Sequence, residues 1–176
     1  MPIFRCPTMQ GPPIEQSPAA RWSSYAASIG TVFAWGTVPD DGAFARYTYA
    51  PHGTTMGQML DGTSNTLAIG EMGFQLKNYY FTSGPNAGQV RGGNTAWQWG
   101  YASYSFGSTL VPMNTKVHDP VLEKSGLHGF RSDHAGGAQF LFADGSVHFL
   151  GQTMDLAAYR NLSTRATSDI VPAGSF

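Results

Sequence analysis

The sequence predicts an α+β fold that is mainly β: an antiparallel sheet with a C-terminal β-hairpin and helix, one short internal helix and long loops. Three observations carry that reading. Short runs of β-branched and aromatic residues are separated by turn residues, an Asp-Gly pair at 144–145 lies between two apolar runs, and helical periodicity is confined to two short stretches. A chain of 176 residues suits a single domain, since one core of that size hides roughly two thirds of the surface of the unfolded chain. Within 1–176 we read 1–21 as an irregular strap, 22–165 as a β-rich head and 166–176 as a tail.

The strap follows from Pro2, Pro7, Pro12, Pro13 and Pro18, which recur without a period. From Trp22 the pattern predicts a strand at 25–29, then a hairpin made of 31–38, a turn at 39–42 and a strand at 43–49. Thr54 and Thr55 are placed to cap a helix of about two turns, with Met56, Met59 and Leu60 on one face and Gly62 as its left-handed end. Residues 66–72 alternate as a half-buried strand, Leu67 and Ile69 pointing one way. Further strands are expected at 74–81 and through Trp97, Trp99 and Tyr101, with an exposed loop at 83–94. Residues 107–130 read as mostly irregular.

The clearest local signal is 138–150. With Asp144 and Gly145 as the two central residues of a type I′ turn, Phe142 would face Val147 and Phe140 would face Phe149. That wall would cover the core, leaving Gln139, Leu141, His148 and Leu150 on the other. Thr153 or Asp155 then caps a final helix at about 156–164, with Leu156, Tyr159 and Leu162 inward.

Composition excludes several function classes. Charged residues make up 12% of the chain, and 10 Lys plus Arg against 11 Asp plus Glu leave no basic field for nucleic acid. A net charge of −1 leaves little repulsion between copies, which permits docking on other protein subunits, homo- or hetero-oligomeric. The apolar runs fall far short of the ~18 residues of a membrane helix, so no span is expected in this chain. Cys6 is the single cysteine, which rules out an internal disulfide. No nucleophile elbow, phosphate loop or dinucleotide fingerprint occurs, so the expectation is a protein that is not an enzyme.

Candidate sites are weighed against simpler roles. Asp144 is the residue a tight turn requires, and His134, before Gly136 and Gly137, reads as a loop anchor. An extended 138–142, at ~3.3 Å per residue, separates His134 from Asp144 by on the order of 20 Å, too far for an acid/base pair. His118, Asp119, His128, Asp133, His134 and His148 lack zinc spacing. No cofactor is expected, with calcium left open at Asp133 or around Asp61 and Asn65. The plain reading of 61–66 is a turn in which Ser64 and Asn65 bond nearby backbone. Cys6, beside Pro7 with no local base, reads as inert. Trp97, Trp99 and Tyr101 fall on one strand face, either core or, with Tyr80, a contact for a partner or a glycan.

Two stretches carry a resemblance: Asp61-Gly-Thr-Ser-Asn-Thr-Leu-Ala-Ile-Gly-Glu71, and Phe130-Arg-Ser-Asp-His134-Ala-Gly-Gly followed by Phe142-Ala-Asp144-Gly145-Ser-Val. Together with Cys6-Pro7 they resemble a large group of pilin-like proteins of planctomycetes and related bacteria. That group shares a domain of unknown function whose C-terminal signature is His, nine residues, then Asp-Gly; here Ala135 to Ala143 supply the nine. The resemblance spans roughly 6–162 and implies a pseudopilin-like extracytoplasmic head, periplasmic or at the cell surface. In it, His134, Gly136, Gly137, Asp144, Gly145, Asp61, Gly62, Ser64, Asn65 and Glu71 would serve architecture. Members of the group begin with a prepilin-type cleavage site and a hydrophobic helix, which this sequence does not show. The expectation is therefore the distal part of such a protein or a relative lacking the anchor. Pseudopilins pack their sheet on that helix, so the uncovered face should meet another chain or the strap. The leading expectation is a non-catalytic structural or accessory subunit of a filament, secretion-type assembly or membrane complex. A polysaccharide-binding module using 79–106 is second, and a metal-dependent hydrolase around His128, Asp133 and His134 is third.

Overall fold

A computed structural model describes residues 2–10, 22–32, 36–74, 76, 80–89, 96, 100, 104–116 and 123–167. Among these residues five strands form one sheet: β1 (Tyr25–Ser28), β2 (Leu67–Glu71), β3 (Phe106–Gly107), β4 (Gly137–Phe142) and β5 (Val147–Gly151), in the order β3-β1-β2-β4-β5. The pairs β1–β2, β2–β4 and β4–β5 are antiparallel, whereas β1–β3 is parallel, so the sheet is mixed rather than wholly antiparallel. The helices are α1 (Glu123–His128) and α2 (Leu156–Asn161), with 3-10 turns at Pro2–Phe4, Met56–Gln58 and Thr63–Asn65. Few helical residues beside a five-stranded sheet make this the mainly-β α+β fold expected.

Leu67, Met72, Phe130, Phe140, Phe142, Leu150, Tyr159 and Leu162 form the core on one side of the sheet. The Phe140 ring meets Phe130 edge-on at 5.3 Å and Tyr159 at 6.0 Å, so α2 is fastened to β4 through aromatic contact. Asp155 caps α2 by accepting from the Ala157 and Ala158 backbone N–H groups. Tyr159 and Leu162 point inward, and Leu156 packs at the margin.

The hairpin β4–β5 exists, but its turn is longer by one residue than the two-residue loop anticipated. The Phe142 N–H donates to Ser146 O and the Gly145 N–H donates to Phe142 O, leaving Ala143, Asp144 and Gly145 as the loop. Gly145 alone takes the left-handed conformation, at φ +91°. This is a type I turn closed by a G1 bulge, the usual three-residue hairpin, and it does not need positive φ at Asp144. The register becomes Leu141↔Val147, Phe140↔His148 and Gln139↔Phe149. A one-residue slip exchanges the faces of a strand, so Phe140 and Phe142 do face the core, on the same side as His148, which pairs with Phe140, and Leu150, which pairs with Ala138. Val147 and Phe149 face outward instead.

Other expectations are corrected. The hairpin proposed for 31–49 is absent among the described residues of that stretch, which form bends and turns around an ion pair. Buried Asp40 accepts from the Arg46 backbone N–H (2.6 Å) and side chain (Nε 2.9 Å), and the same guanidinium bonds Gly36 O and Val38 O. The helix expected at 55–60 is a single 3-10 turn with Met56 and Leu60 exposed, because no core lies beneath it to bury an apolar face. Gly62, at φ +93°, follows this turn and precedes the next. Strand β2 is buried on both faces except at Ile69, as befits a central strand with a register shift between Leu67 and Ile69. The described residues of 107–130 are mostly irregular, as expected, apart from Gly107 at the end of β3 and helix α1. The loop at 83–89 is exposed as expected. Of 74–81, only 74, 76, 80 and 81 are described, with no named strand among them.

Two basic groups are buried where α1 ends. Arg131 donates through Nη1 to Leu127 O (3.3 Å) and Gly129 O (3.0 Å), carbonyls at and beyond the end of α1. Burial brings its pKa down to about 10, opposed by Asp133, so the guanidinium keeps its charge at neutral pH. Burial, then the charges of Arg131 and Arg46, push His128 down to about 3.

Two predictions follow from this core. A Cβ on Gly70 would lie 2.4 Å from the Phe140 ring and 2.6 Å from that of Phe130. Gly70→Ala should therefore lower stability by roughly 1–3 kcal/mol, read as a shifted urea midpoint; an unchanged midpoint would mean the rings yield freely. The folded-state pKa of His128 lies below its unfolded value of 6.5, so the unfolded chain binds the extra proton first as pH falls. Stability from neutral His128 is full above pH 6.5 and declines toward pH 3, by roughly 2 kcal/mol at pH 5. Denaturation series at pH 7 and pH 5 should show this decline, flattened in His128→Leu; equal slopes would remove His128 from the account.

Candidate functional site

The pairing of β2 with β4 sets two clusters of motif residues at opposite ends of one strand pair. At the first end the strap crosses the sheet. Its Phe4 O accepts from the Ser24 N–H (2.8 Å), Ser24 Oγ accepts from the Cys6 N–H (2.7 Å), and a turn returns the Met9 N–H to Cys6 O. Glu71 closes β2 opposite Tyr25, with its side chain only 3% exposed. One carboxylate oxygen, Oε2, accepts from the Gln139 N–H at 2.8 Å. His134 arrives from the loop before β4, its N–H bonded to Ser132 Oγ (3.1 Å). Gly136 at φ +80° turns that loop into the strand, where Gly137 lies against Leu150 O too closely for any Cβ. Asp133 steadies the loop by accepting from the Gln10 N–H (3.0 Å) and pairing with Lys116 (3.0 Å).

Three side chains meet there. Cys6 Sγ is 3.3 Å from His134 Nε2, and that nitrogen is 3.4 Å from Glu71 Oε1. Thr8 Oγ1 lies 3.0 Å from the sulfur and 3.5 Å from the imidazole. Cys6 is 6% exposed, whereas the His134 side chain is 30% exposed, so the cluster is open on one side. Burial raises the pKa of the neighbouring Tyr25 phenol, and charge on Cys6 and Glu71 raises it further.

The expectation that Cys6 is inert for want of a base is thus corrected: His134, 128 residues away, stands beside it. No spacing rule finds this partner, because sheet topology rather than local sequence supplies it. The grouping is nevertheless not a nucleophile–base–acid relay. Such a relay uses opposite imidazole nitrogens for the nucleophile and the acid, and here sulfur and carboxylate address the same Nε2.

The second end carries Asp61, Asn65 and Asp144. Asp144 accepts from the Ser146 N–H (2.9 Å) and hydroxyl (2.7 Å), bonds that hold its carboxyl below the usual range. Its own N–H donates to Thr63 O (3.1 Å) and the Ala143 N–H to Thr66 O (2.9 Å), seating the hairpin tip on Thr63–Asn65. His134 and Asp144 therefore sit beyond opposite ends of β4 and share no partner. Asp61 Oδ2 accepts from the Thr167 N–H (3.0 Å), and Asn65 Nδ2 donates to Asp61 O (3.2 Å). Ser64 stands exposed outside this network.

The remaining candidates are dispersed. His128 is buried at the end of α1, and His148 Nε2 is 3.0 Å from Ser146 Oγ. Among the described residues, the one group of convergent His, Cys, Asp and Glu donors is Cys6, Glu71 and His134, so His128 and Asp133 do not join His134 as the hydrolase reading required. Tyr80 is exposed. Trp97, Trp99, Tyr101, His118 and Asp119 lie outside the described residues.

Among the described residues, no helix is long and apolar enough to cross a membrane. No curated protein and no solved structure matches the chain. Residues 1–157 match the family described as "Protein of unknown function (DUF1559)", and the chain belongs to that family.

Proposed function

We propose that this chain is a non-catalytic structural or accessory subunit, a pilin- or pseudopilin-like extracytoplasmic head that docks with other protein chains. The observation that supports it is the outer face of the terminal hairpin. Strand β5 lies at the edge of the sheet, with Val147 and Phe149 turned outward at 63% and 44% exposure. Their cross-strand partners on that face are Leu141 and Gln139. An apolar face on an edge strand is a template for another chain, which proteins otherwise blunt with charge, proline or a covering loop. With one charged residue in eight and a net charge of −1, little repulsion opposes such contact. The motif residues support the same reading: Glu71, His134, Asp61 and Asp144 all bond to other parts of this chain, fixing the frame that presents the hairpin.

A photo-crosslinking residue at position 149, introduced in the native host, should give discrete protein adducts, either with a second copy or with another subunit. Position 83, in the exposed loop, is the control and should give none. Val147→Glu should abolish the adducts without altering thermal stability. No adduct from 149, or equal labelling from both positions, would overturn docking through this face.

A further inference from the structure

The Cys6, Glu71 and His134 side chains converge, with two of their three donor separations at the spacing of a coordination shell. We propose that they bind one divalent transition-metal ion of the zinc class through Cys6 Sγ, His134 Nε2 and Glu71 Oε1. For a tetrahedral ion with bonds of about 2.3 Å to sulfur and about 2.0–2.2 Å to nitrogen and oxygen, donor separations are about 3.5 Å for S···N and about 3.4 Å for N···O. The observed S···N and N···O separations are 3.3 Å and 3.4 Å; the sulfur and the carboxylate oxygen lie within 4.8 Å of each other, and an ion would hold them at about 3.6 Å.

Three further features fit an ion better than a set of hydrogen bonds. A single proton on Nε2 serves either the sulfur or the carboxylate, whereas a metal at their common focus engages both. A thiolate and a carboxylate together neutralise a divalent cation, giving a buried site without net charge, and burial favours that balance. The Glu71 carboxylate is oriented through its second oxygen by the Gln139 N–H, while Ser24 Oγ and Ser132 Oγ fix the backbones of Cys6 and His134 by accepting from their N–H groups. Such outer contacts hold ligands in place for metal. One sulfur, one imidazole nitrogen and one carboxylate oxygen select zinc-like ions over calcium or magnesium, which take oxygen shells. The fourth position falls on the open side near the Thr8 hydroxyl and is left for water. Binding releases the Cys6 thiol proton to solvent as the sulfur–metal bond forms. The ion would clasp the strap to β2 and to the loop before β4. This inference is independent of docking through β5.

The test uses the full chain, stripped by chelator and kept reduced, titrated with Zn²⁺ alone and with Co²⁺ as an optical probe. One equivalent should bind, and the Co²⁺ form should show thiolate-to-cobalt charge-transfer absorption that Cys6→Ser removes. His134→Ala, on a partly exposed loop position that the sheet does not require, should weaken Zn²⁺ binding by more than the roughly 10–100-fold typical of losing an outer-shell partner. Glu71→Gln should weaken it as well, with circular dichroism checking the fold because Glu71 also holds the Gln139 N–H. Zn²⁺ should protect residues 2–10 from proteolysis in the native chain and not in His134→Ala. The proposal is overturned by no saturable binding, by binding that survives both Cys6→Ser and His134→Ala, or by a Co²⁺ form lacking the charge-transfer band.

Discussion

Strand β2 is flanked on both sides, by β1 and β4, and the close approach of β2 to β4 at Gly70 organises the rest of the molecule. Without a side chain at that position, the Phe130 and Phe140 rings move over the strand and meet each other edge-on at 5.3 Å. The same pairing carries Glu71 to the Gln139 N–H at one end and brings Thr63 and Thr66 under the hairpin tip at the other. In a chain with a single cysteine, this central packing does the work that a disulfide does in many small domains.

Away from the sheet, the described residues 36–66 lie outside the named strands, and charged groups bonded to backbone hold them in place. Asp40 accepts from the Arg46 backbone and side chain while Arg46 reaches Gly36 and Val38. Arg131 holds the end of α1, and Arg165 donates to Gly42 O at 2.7 Å. A guanidinium can satisfy several carbonyls at once, so a few arginines organise loops that would otherwise leave buried carbonyls unbonded. Among the described residues, Asp40, Glu71 and Arg131 are the charged residues buried in the fold, and each is held by such bonds.

What the sequence revealed divides along the same physical line. Local rules found β1, β2, the terminal hairpin and α2, because alternation, an Asp-Gly pair and an Asp cap act within a few residues. They failed where tertiary context decides: the stretch 31–49 has strand-like residues, yet the described part of it closes around Asp40 and Arg46. The hairpin turn differs by one residue from the expectation because Asp-Gly suits both a two-residue I′ loop and a three-residue loop with Gly last; the sequence does not separate them, and that residue decides whether Phe149 or Leu150 is buried. Cys6, Glu71 and His134 were each visible in motif stretches. Their meeting was not, since it depends on where the strap crosses the sheet.

The distance along the chain from His134 to Asp144 acquires a physical meaning from this geometry. It comprises the glycine turn at Gly136, the six residues of β4 and the first residue of the hairpin loop. Six residues at ~3.3 Å span about 20 Å, and β4 carries the chain that far from the loop beside Cys6 to the hairpin tip on Thr63–Asn65. Removing one residue from β4 would break the contact at one end or reverse the faces of Phe140 and Phe142. The His-to-Asp-Gly spacing is thus a ruler for a strand fixed at both ends. Its histidine and its aspartate therefore have separate bonding partners at the two ends of β4.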